Sequence, residues 1–192
     1  MLGTATNWAG HEDEVMVDSE ASRAEWIEAV LERYERPLLR YVCRMTGDVE
    51  LARDVVQDTF LKLCKADREN IEGRLAAWLY TVCRNRALDV LKKEGRMGRV
   101  SESRVAAEPS KARGPGEMAA LSEVHDLIIE VLEELSEEQR EAFRLKFQDQ
   151  LTYREISQVL GVSLGSVSKL ISTALGTIRD RLRTSYDLAQ EG

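Results

Sequence analysis

The stretch LTYREISQVLGVSLGSVSKLISTALGTIRDRLR, residues 151–183, predicts two short helices joined by a turn. Thr152 and Glu155 stand three positions apart ahead of an apolar run, which is the spacing of a capping box that begins a helix. Gly161 follows that run, where a left-handed backbone ends a helix at low cost, and Ser163 can cap the next helix. The pattern is typical of a helix-turn-helix that reads the DNA major groove, although ordinary core helical pairs share it.

The second helix of this pair has one apolar face, because its apolar residues recur at three- and four-residue steps. The opposite face is free to contact a partner. The polar residues outside the apolar face are Ser166, Ser168, Lys169, Ser172, Thr173 and Thr177.

Composition predicts an all-α fold. The chain has 192 residues, of which 43% are hydrophobic and 32% charged, and it contains only 3 Pro and 12 Gly. No run of alternating β-branched residues is long enough for a sheet. No apolar run approaches the ~20 residues of a membrane span, and the N-terminus lacks a secretion signal. We therefore expect a cytoplasmic protein that does not insert into a membrane.

The cysteines and histidines give no sign of a metal site. Cys43, Cys64 and Cys83 are odd in number, widely spaced and set within apolar helical patterns, so we expect buried reduced thiols. His11 and His125 have no further ligand at metal-binding spacing. No cofactor and no metal are expected.

Charge is strongly segregated along the chain. The net charge is -7, yet residues 1–22 hold five acids and no Lys or Arg, whereas residues 84–99 hold six basic residues against two acids. A local basic cluster matters more to nucleic-acid binding than the total charge.

Changes of composition predict two small helical domains on a flexible linker. A capping box at Ser22 and Glu25 begins the first domain, Pro37 kinks or restarts its first helix, and Gly47 ends that helix. The apolar periodicity disappears after about residue 94 and returns near residue 118. The predicted segments are a flexible acidic arm (1–21), a first domain (22–94), a linker (95–117), a second domain with the helix-turn-helix (118–185) and a tail (186–192).

Helices are predicted within both domains. Asp48 caps a helix over 49–65, and a polar loop over 66–74 leads to a helix over 75–93. In the second domain we expect helices over 118–135 and, after a Ser136/Gln139 capping box, over 137–147.

Three stretches carry a resemblance to a known family: MTGDVELARDVVQDTFLKL (45–63), AAWLYTVCRNRALDVLKK (76–93) and LTYREISQVLGVSLGSV (151–167). In this order, with these domain and linker sizes, the chain resembles a bacterial RNA polymerase sigma factor of the extracytoplasmic-function class. The resemblance spans residues 24–185. It implies a subunit that directs core polymerase to promoters, helps to melt the -10 element and reads the -35 element.

One face of the helix over 49–65 is acidic. Asp54, Gln57, Asp58 and Leu61 fall at i, i+3, i+4 and i+7, opposite the apolar face, and can dock a basic partner or simply be solvated. The resemblance implies that this partner is the coiled coil of the largest-subunit clamp of core RNA polymerase, and that the polymerase flap is a second contact.

The next helix combines basic, amide and aromatic side chains, which suit the phosphates and exposed bases of a separated DNA strand. The resemblance implies that this helix and the loop 66–74 open and read the -10 element, with Arg84 and Asn85 foremost, while Trp78 also fits a core position. The candidate residues are Trp78, Tyr80, Arg84, Asn85, Arg86, Lys92 and Lys93.

For the -35 element the chain departs from the family that it resembles, whose members usually place several basic residues early in the recognition helix. Either the -35 contact is weak, because fewer phosphate contacts weaken binding and make its salt dependence shallower, or hydroxyl groups read the bases with help from Arg154. The candidate residues are Arg154, Ser163, Ser166, Ser168, Lys169, Ser172 and Thr173.

Two other functions compete with this interpretation. A helix-turn-helix transcriptional regulator would bind duplex DNA without being a polymerase subunit, but this function does not explain the basic end of the first domain. A helical adaptor would bind no DNA. An enzyme is not expected, because the sequence shows no nucleophile with its base, no paired catalytic carboxylates and no phosphate loop. An anti-sigma factor is a further expected partner.

Overall fold

The computed structural model describes the backbone of residues 9–93, 95 and 130–190, and the side chains of residues 22–93, 95 and 130–184. Every regular element within these ranges is helical, as the composition predicts. Besides a helical segment at 130–134, the α-helices are α1 (Ala9–Thr46), α2 (Val49–Lys65), α3 (Arg68–Ile71), α4 (Leu75–Lys93), α5 (Glu137–Phe147), α6 (Tyr153–Leu160) and α7 (Leu164–Gln190).

The first helix differs from the prediction at both of its expected interruptions. It begins at Ala9, so the capping box predicted at Ser22 is wrong, and it continues through Pro37 without restarting. Val30 before the proline and Leu38 after it are both buried in the same core. Tertiary packing along one face therefore holds the helix together across the hydrogen bond that proline cannot make. Gly47, with φ of 67°, follows the end of the helix as predicted.

The helix α2 begins as the sequence predicts. The Asp48 carboxylate accepts hydrogen bonds from the backbone N–H groups of Glu50 and Leu51 at 3.0 and 3.1 Å. Such a cap satisfies amides that have no partner within the helix. The helix packs its apolar face against α1 and α4, and the side chains it buries are Ala52, Val55, Val56, Thr59, Phe60 and Leu63.

The polar loop predicted over 66–74 contains the short helix α3 and a 3₁₀ turn, Glu72–Arg74. Asp67 caps α3 by accepting a bond from the N–H of Glu69 at 3.1 Å. Arg23 of α1 donates to the carbonyls of Cys64 and Ala66 at 3.0 and 2.7 Å, where α2 ends. These bonds hold the start of the loop against α1.

In the second domain the predicted caps are confirmed. Ser136 with Gln139, and Thr152 with Glu155, form the two reciprocal bonds of a capping box at the starts of α5 and α6. Gly161 ends α6 with φ of 69°. The helices α6 and α7 meet at a bend of 103°, within the range typical of a helix-turn-helix. The helix α7 reaches Gln190 and so runs into the segment predicted as a tail.

Most buried residues of the two domains form one continuous cluster, while Leu132, Leu135 and Ala174 form a smaller, separate one. α6 packs on α4, and Leu145, Leu151 and Ile156 belong to the same core as Leu79 and Cys83 of α4. The predicted linker lies outside the described residues except for Gly95, and the helix predicted over 118–135 is described only from residue 130.

Candidate nucleic-acid interface

We define the acidic face by the α2 residues Asp54, Gln57, Asp58 and Leu61. Asp54 and Gln57 are exposed, Asp58 is half-exposed, and the Leu61 residue is 53% exposed. The opposite side of α2 is buried in the core. An exposed leucine among carboxylates suits a partner that offers both apolar and basic side chains.

An ion pair joins the acidic face to α4. The Nε atom of Arg86 donates to the Oδ2 atom of Asp58 at 2.9 Å, and both side chains are partly exposed. Surface pairs of this kind contribute about 0–1 kcal/mol to stability. The pair nevertheless shows that the two surfaces predicted for polymerase and DNA lie side by side.

The exposed part of α4 carries an amide, two ammonium groups and the carboxylate of Asp89. Asn85, Lys92 and Lys93 are exposed, and positions 85 and 92 are two helical turns apart on one side. We call these three residues the basic face. Ammonium groups suit phosphates, and an amide suits the edge of an unpaired base.

Two aromatic residues of α4 that the sequence predicts to contact DNA, Tyr80 and Trp78, pack in or against the protein core. Tyr80 is 1% exposed, its ring centroid is 5.1 Å from that of Tyr41, and burial raises the pKa of its hydroxyl. A ring so enclosed cannot stack on a base in this arrangement, contrary to the prediction. Trp78 is half-buried and packs against the core, as its other interpretation held.

Arg84 is bound by a carboxylate of the second domain. Its Nε and Nη2 atoms donate to Oε1 and Oε2 of Glu141 at 3.0 and 3.3 Å, and the Tyr41 hydroxyl donates to the same Oε1 at 2.6 Å. The hydrogen bonds and charge of Glu141 raise the pKa of Arg84 against the opposing effect of burial. Sequence patterns did not single out Tyr41 or Glu141, because each is one polar group in an ordinary amphipathic helix.

A second cross-domain contact involves buried charges. The Asp149 side chain is 0% exposed, its Oδ2 lies 3.7 Å from Nη2 of Arg44, and neither of its oxygens has a hydrogen bond within the described residues. Burial raises the pKa of Asp149, although Arg44 and the Tyr80 hydroxyl favour its charged form. Burial also lowers the pKa of Arg144 to about 10, with the charges of Arg44 and Arg140 adding to that effect.

The helix-turn-helix presents a polar surface with little positive charge. Lys169 is the single Lys or Arg between residues 155 and 178. The Ser163 hydroxyl accepts a bond from the N–H of Ser166 at 3.1 Å and so caps α7, and the Ser172 hydroxyl donates to the carbonyl of Lys169 at 3.1 Å. All seven residues predicted for the -35 contact are exposed: Arg154, Ser163, Ser166, Ser168, Lys169, Ser172 and Thr173.

Two apolar side chains on this surface were not predicted. Leu164 is 53% exposed and Tyr153 is 39% exposed, with the Lys146 ammonium 5.6 Å from the centroid of the Tyr153 ring. Each occupies the first position of its helix, next to the turn or the cap. Their position in the first turn of a helix could have predicted their exposure, since side chains there project beyond the packed face.

Within residues 9–93, 95 and 130–190 no group of three or more His, Cys, Asp or Glu could hold a metal ion. Cys43 and Cys83 are buried as predicted, whereas Cys64 is exposed, which corrects the expectation for that residue. In the described part of the chain no single helix is long and apolar enough to span a membrane. Taken together, the bent pair Tyr153–Leu160 and Leu164–Thr184 has the length and apolar composition of a span.

Comparisons with known proteins agree with this layout. The family profile of Sigma-70 region 2 matches residues 30–97, and that of Sigma-70, region 4 matches residues 125–178. The chain is similar to the ECF RNA polymerase sigma factor SigM of Bacillus subtilis, with 25% identity over 84% of this chain and 95% of the relative. It is 30% identical to the ECF RNA polymerase sigma factor SigE of Mycolicibacterium smegmatis, over 89% of this chain and 67% of the relative.

A solved structure shares the fold. It is the sigma factor RpoE in complex with the anti-sigma factor NepR from Bartonella quintana, with a TM-score of 0.56 and 22% identity. The match covers 81% of this chain and 96% of that chain.

Proposed function

The chain belongs to the family of ECF RNA polymerase sigma factors, and we propose that its acidic face and basic face carry the two central tasks of such a factor. The acidic face of α2 binds core RNA polymerase through the coiled coil of the largest-subunit clamp. The basic face of α4, with the loop 66–74, engages the separated strand of the -10 element. The protein acts by binding, with no chemical step of its own, and works in the cytoplasm where promoters are transcribed.

One observation supports this proposal: the Asp58–Arg86 pair, at 2.9 Å, joins the acidic face of α2 to α4, the helix that carries the basic face. A factor that melts DNA on the polymerase must present both surfaces on one rigid unit. The α2 and α4 helices form such a unit because they pack in a common core. A transcriptional regulator that uses only its helix-turn-helix would need neither surface.

The domain bounds proposed from the sequence, 22–94 and 118–185, enclose most of the two family matches at 30–97 and 125–178. The second domain contacts the -35 element and the polymerase flap. Lys169 is the one basic residue in the early part of the recognition helix, so we propose a weak -35 contact in which hydroxyl groups take part. An anti-sigma factor is a further proposed partner, since the solved relative is bound to one.

The polymerase surface can be tested by measuring binding of the purified protein to core RNA polymerase. The double variant Asp54→Ala/Leu61→Ala removes a charge and an apolar side chain that are both exposed, so the fold should survive. We expect affinity for core polymerase to fall at least tenfold, because interface centres combine apolar and charged contacts. The control is Glu28→Ala, which removes an exposed carboxylate from α1. Equal affinity of all three proteins would refute the assignment of the acidic face.

A further inference from the structure

A carboxylate of the second domain binds Arg84, a residue that the sequence predicts to contact DNA. Glu141 of α5 accepts two hydrogen bonds from Arg84 and one from Tyr41, across sequence separations of 57 and 100 residues. The Arg84 and Glu141 side chains are only 22% and 18% exposed. We call this three-residue cluster, Tyr41, Arg84 and Glu141, the interdomain latch.

The latch lies beside an apolar contact. α6 packs on α4, and buried residues of the second domain, among them Ala142 and Leu145, share one core with Leu79 and Ala87 of α4. Docking of the second domain therefore covers one side of α4, including Tyr80, while Asn85 and Lys92 stay exposed. The second domain thus covers one side of α4, while another side of the helix is exposed to solvent.

With the domains docked in this way, the protein cannot bind the -10 and -35 elements of one promoter at the same time. Elements at -10 and -35 are centred about 25 base pairs apart, which is about 85 Å of duplex at 3.4 Å per base pair. Packed helices such as α4 and α6 have axes about 10 Å apart. The helix proposed for the -10 element and the helix-turn-helix proposed for the -35 element must therefore separate before both can be bound.

We propose that the interdomain latch is an autoinhibitory contact, in which the Glu141 carboxylate occupies on Arg84 the place of a DNA phosphate until the domains separate. Carboxylate and phosphate are both bound by arginine through paired N–H donors, so the two compete for one guanidinium. The proposal rests on the function proposed above, because the competition matters only if α4 binds DNA.

The Asp149 environment makes the docked state reversible. This carboxylate is fully buried between the domains, lacks a hydrogen bond within the described residues, and has its nearest cation, Arg44, at 3.7 Å. Burial raises the pKa of Asp149 even though Arg44, the Tyr80 hydroxyl and Arg40 favour its charged form, so the buried charge is unfavourable, and separation of the domains returns it to water. Glu141 thus favours the docked state, whereas the charge of Asp149 opposes it.

The two carboxylates predict opposite effects, which energy transfer between two dyes can measure in the free full-length protein. One dye is attached to exposed Cys64 and the other to Gln158→Cys on α6, while buried Cys43 and Cys83 resist labelling. Glu141→Gln should shift the ratio of separated to docked molecules roughly tenfold toward the separated state, since a charge-assisted bond is lost. Asp149→Asn should shift it the other way.

The matched control is Glu138→Gln, which removes the same charge from an exposed position one turn earlier on α5. Tyr41→Phe provides a second test that deletes only a hydroxyl, and it should shift the ratio in the direction of Glu141→Gln. Far-ultraviolet circular dichroism checks that each variant keeps its helices. Transfer that is the same in wild type, Glu141→Gln and Tyr41→Phe would overturn the latch.

Competition for Arg84 is read separately with an oligothymidine of about 20 nucleotides, long enough for a single-strand site. Without polymerase, Glu141→Gln should bind it several-fold more tightly than Glu138→Gln, which corrects for the change in net charge. Equal affinities would refute the competition with DNA. If the free protein gives these results but core polymerase gains no promoter-dependent transcription from it, the sigma function fails while the latch stands.

Discussion

At the residue scale, two neighbours on α4 show how burial decides what a side chain can do. Arg84 faces the second domain and is bound by Glu141, whereas Asn85, one position later, is exposed. The step of about 100° between successive helical positions is enough to put Arg84 in the contact with the second domain and to leave Asn85 exposed. Their variants should therefore fail in different ways.

Asn85→Ala should leave the free energy of unfolding within about 0.5 kcal/mol of the wild-type value, because an exposed amide is removed from a helix surface. Arg84→Ala should lower it by about 2 kcal/mol, since the half-buried bidentate bond to Glu141 is lost. Denaturant unfolding of both variants measures the difference. Equal destabilisation by the two substitutions would show that the contact with Glu141 does not form in solution.

Thiol chemistry should distinguish the three cysteines. Burial raises the pKa of Cys83 to about 12, so its thiolate forms only near that pH, and at pH 8 almost all of it stays protonated and unreactive. Cys64 is exposed and should be alkylated by iodoacetamide at pH 8 in the folded protein, while Cys43 and Cys83 react only after denaturation. Peptide mass spectrometry identifies the modified residue. Rapid labelling of Cys83 in the folded protein would contradict the packing of α4.

At the element scale, helix ends were the features that the sequence predicted best. Asp48, Ser136, Thr152 and Gly161 all act as predicted, because a cap depends on residues within three or four positions. The start expected at Ser22 and the interruption expected at Pro37 were both wrong, because α1 continues through both positions and packing of distant residues overrides a local breaker. Local chemistry can be read from local sequence, whereas tertiary packing cannot.

Glycine substitutions in the helix-turn-helix should have opposite signs. Gly161 has φ of 69° and an alanine there would meet no atom within 4 Å, so Gly161→Ala should cost about 1–2 kcal/mol of stability through backbone strain alone. Gly176 lies inside α7 with equally open space, so Gly176→Ala should stabilise the protein by about 1 kcal/mol. Thermal or denaturant unfolding tests both. A stabilising Gly161→Ala would disprove the left-handed turn.

The recognition helix should show a shallow salt dependence. Lys169 is exposed and is the one Lys or Arg in its stretch, so Lys169→Gln should reduce the slope of log affinity against log salt by about 1. Binding of the polymerase–protein complex to promoter duplexes over a series of salt concentrations measures this slope. Ser168→Ala, which carries no charge change, should leave the slope unaltered. An unchanged slope for Lys169→Gln would mean that Lys169 contacts no phosphate.

At the scale of the whole molecule, the sequence predicted two helical domains and the family, but not how the domains meet. The acidic face and the exposed part of α4 follow from helical periodicity, which places Asp54, Gln57 and Asn85 outside the core. The pairing of Arg84 depends on Glu141, 57 positions away, and buried Tyr80 packs beside the ring of Tyr41, which lies on another helix. No local pattern specifies such a partner, so helical periodicity alone predicts that both side chains are free to contact DNA.

Run-off transcription with purified bacterial core RNA polymerase, on fragmented genomic DNA from the organism that encodes the chain, tests whether the protein acts as a polymerase subunit that contacts the -10 element through α4. We expect defined transcripts that require this protein and that decline with Asn85→Ala/Lys92→Ala, whose two side chains are exposed, but not with Lys65→Ala on exposed α2 surface. Promoter-dependent transcripts that the double variant supports as well as wild type would contradict the placement of the -10 contact on α4. If the protein adds no transcript while it binds duplex DNA alone, it is a regulator and the account of a polymerase subunit is wrong.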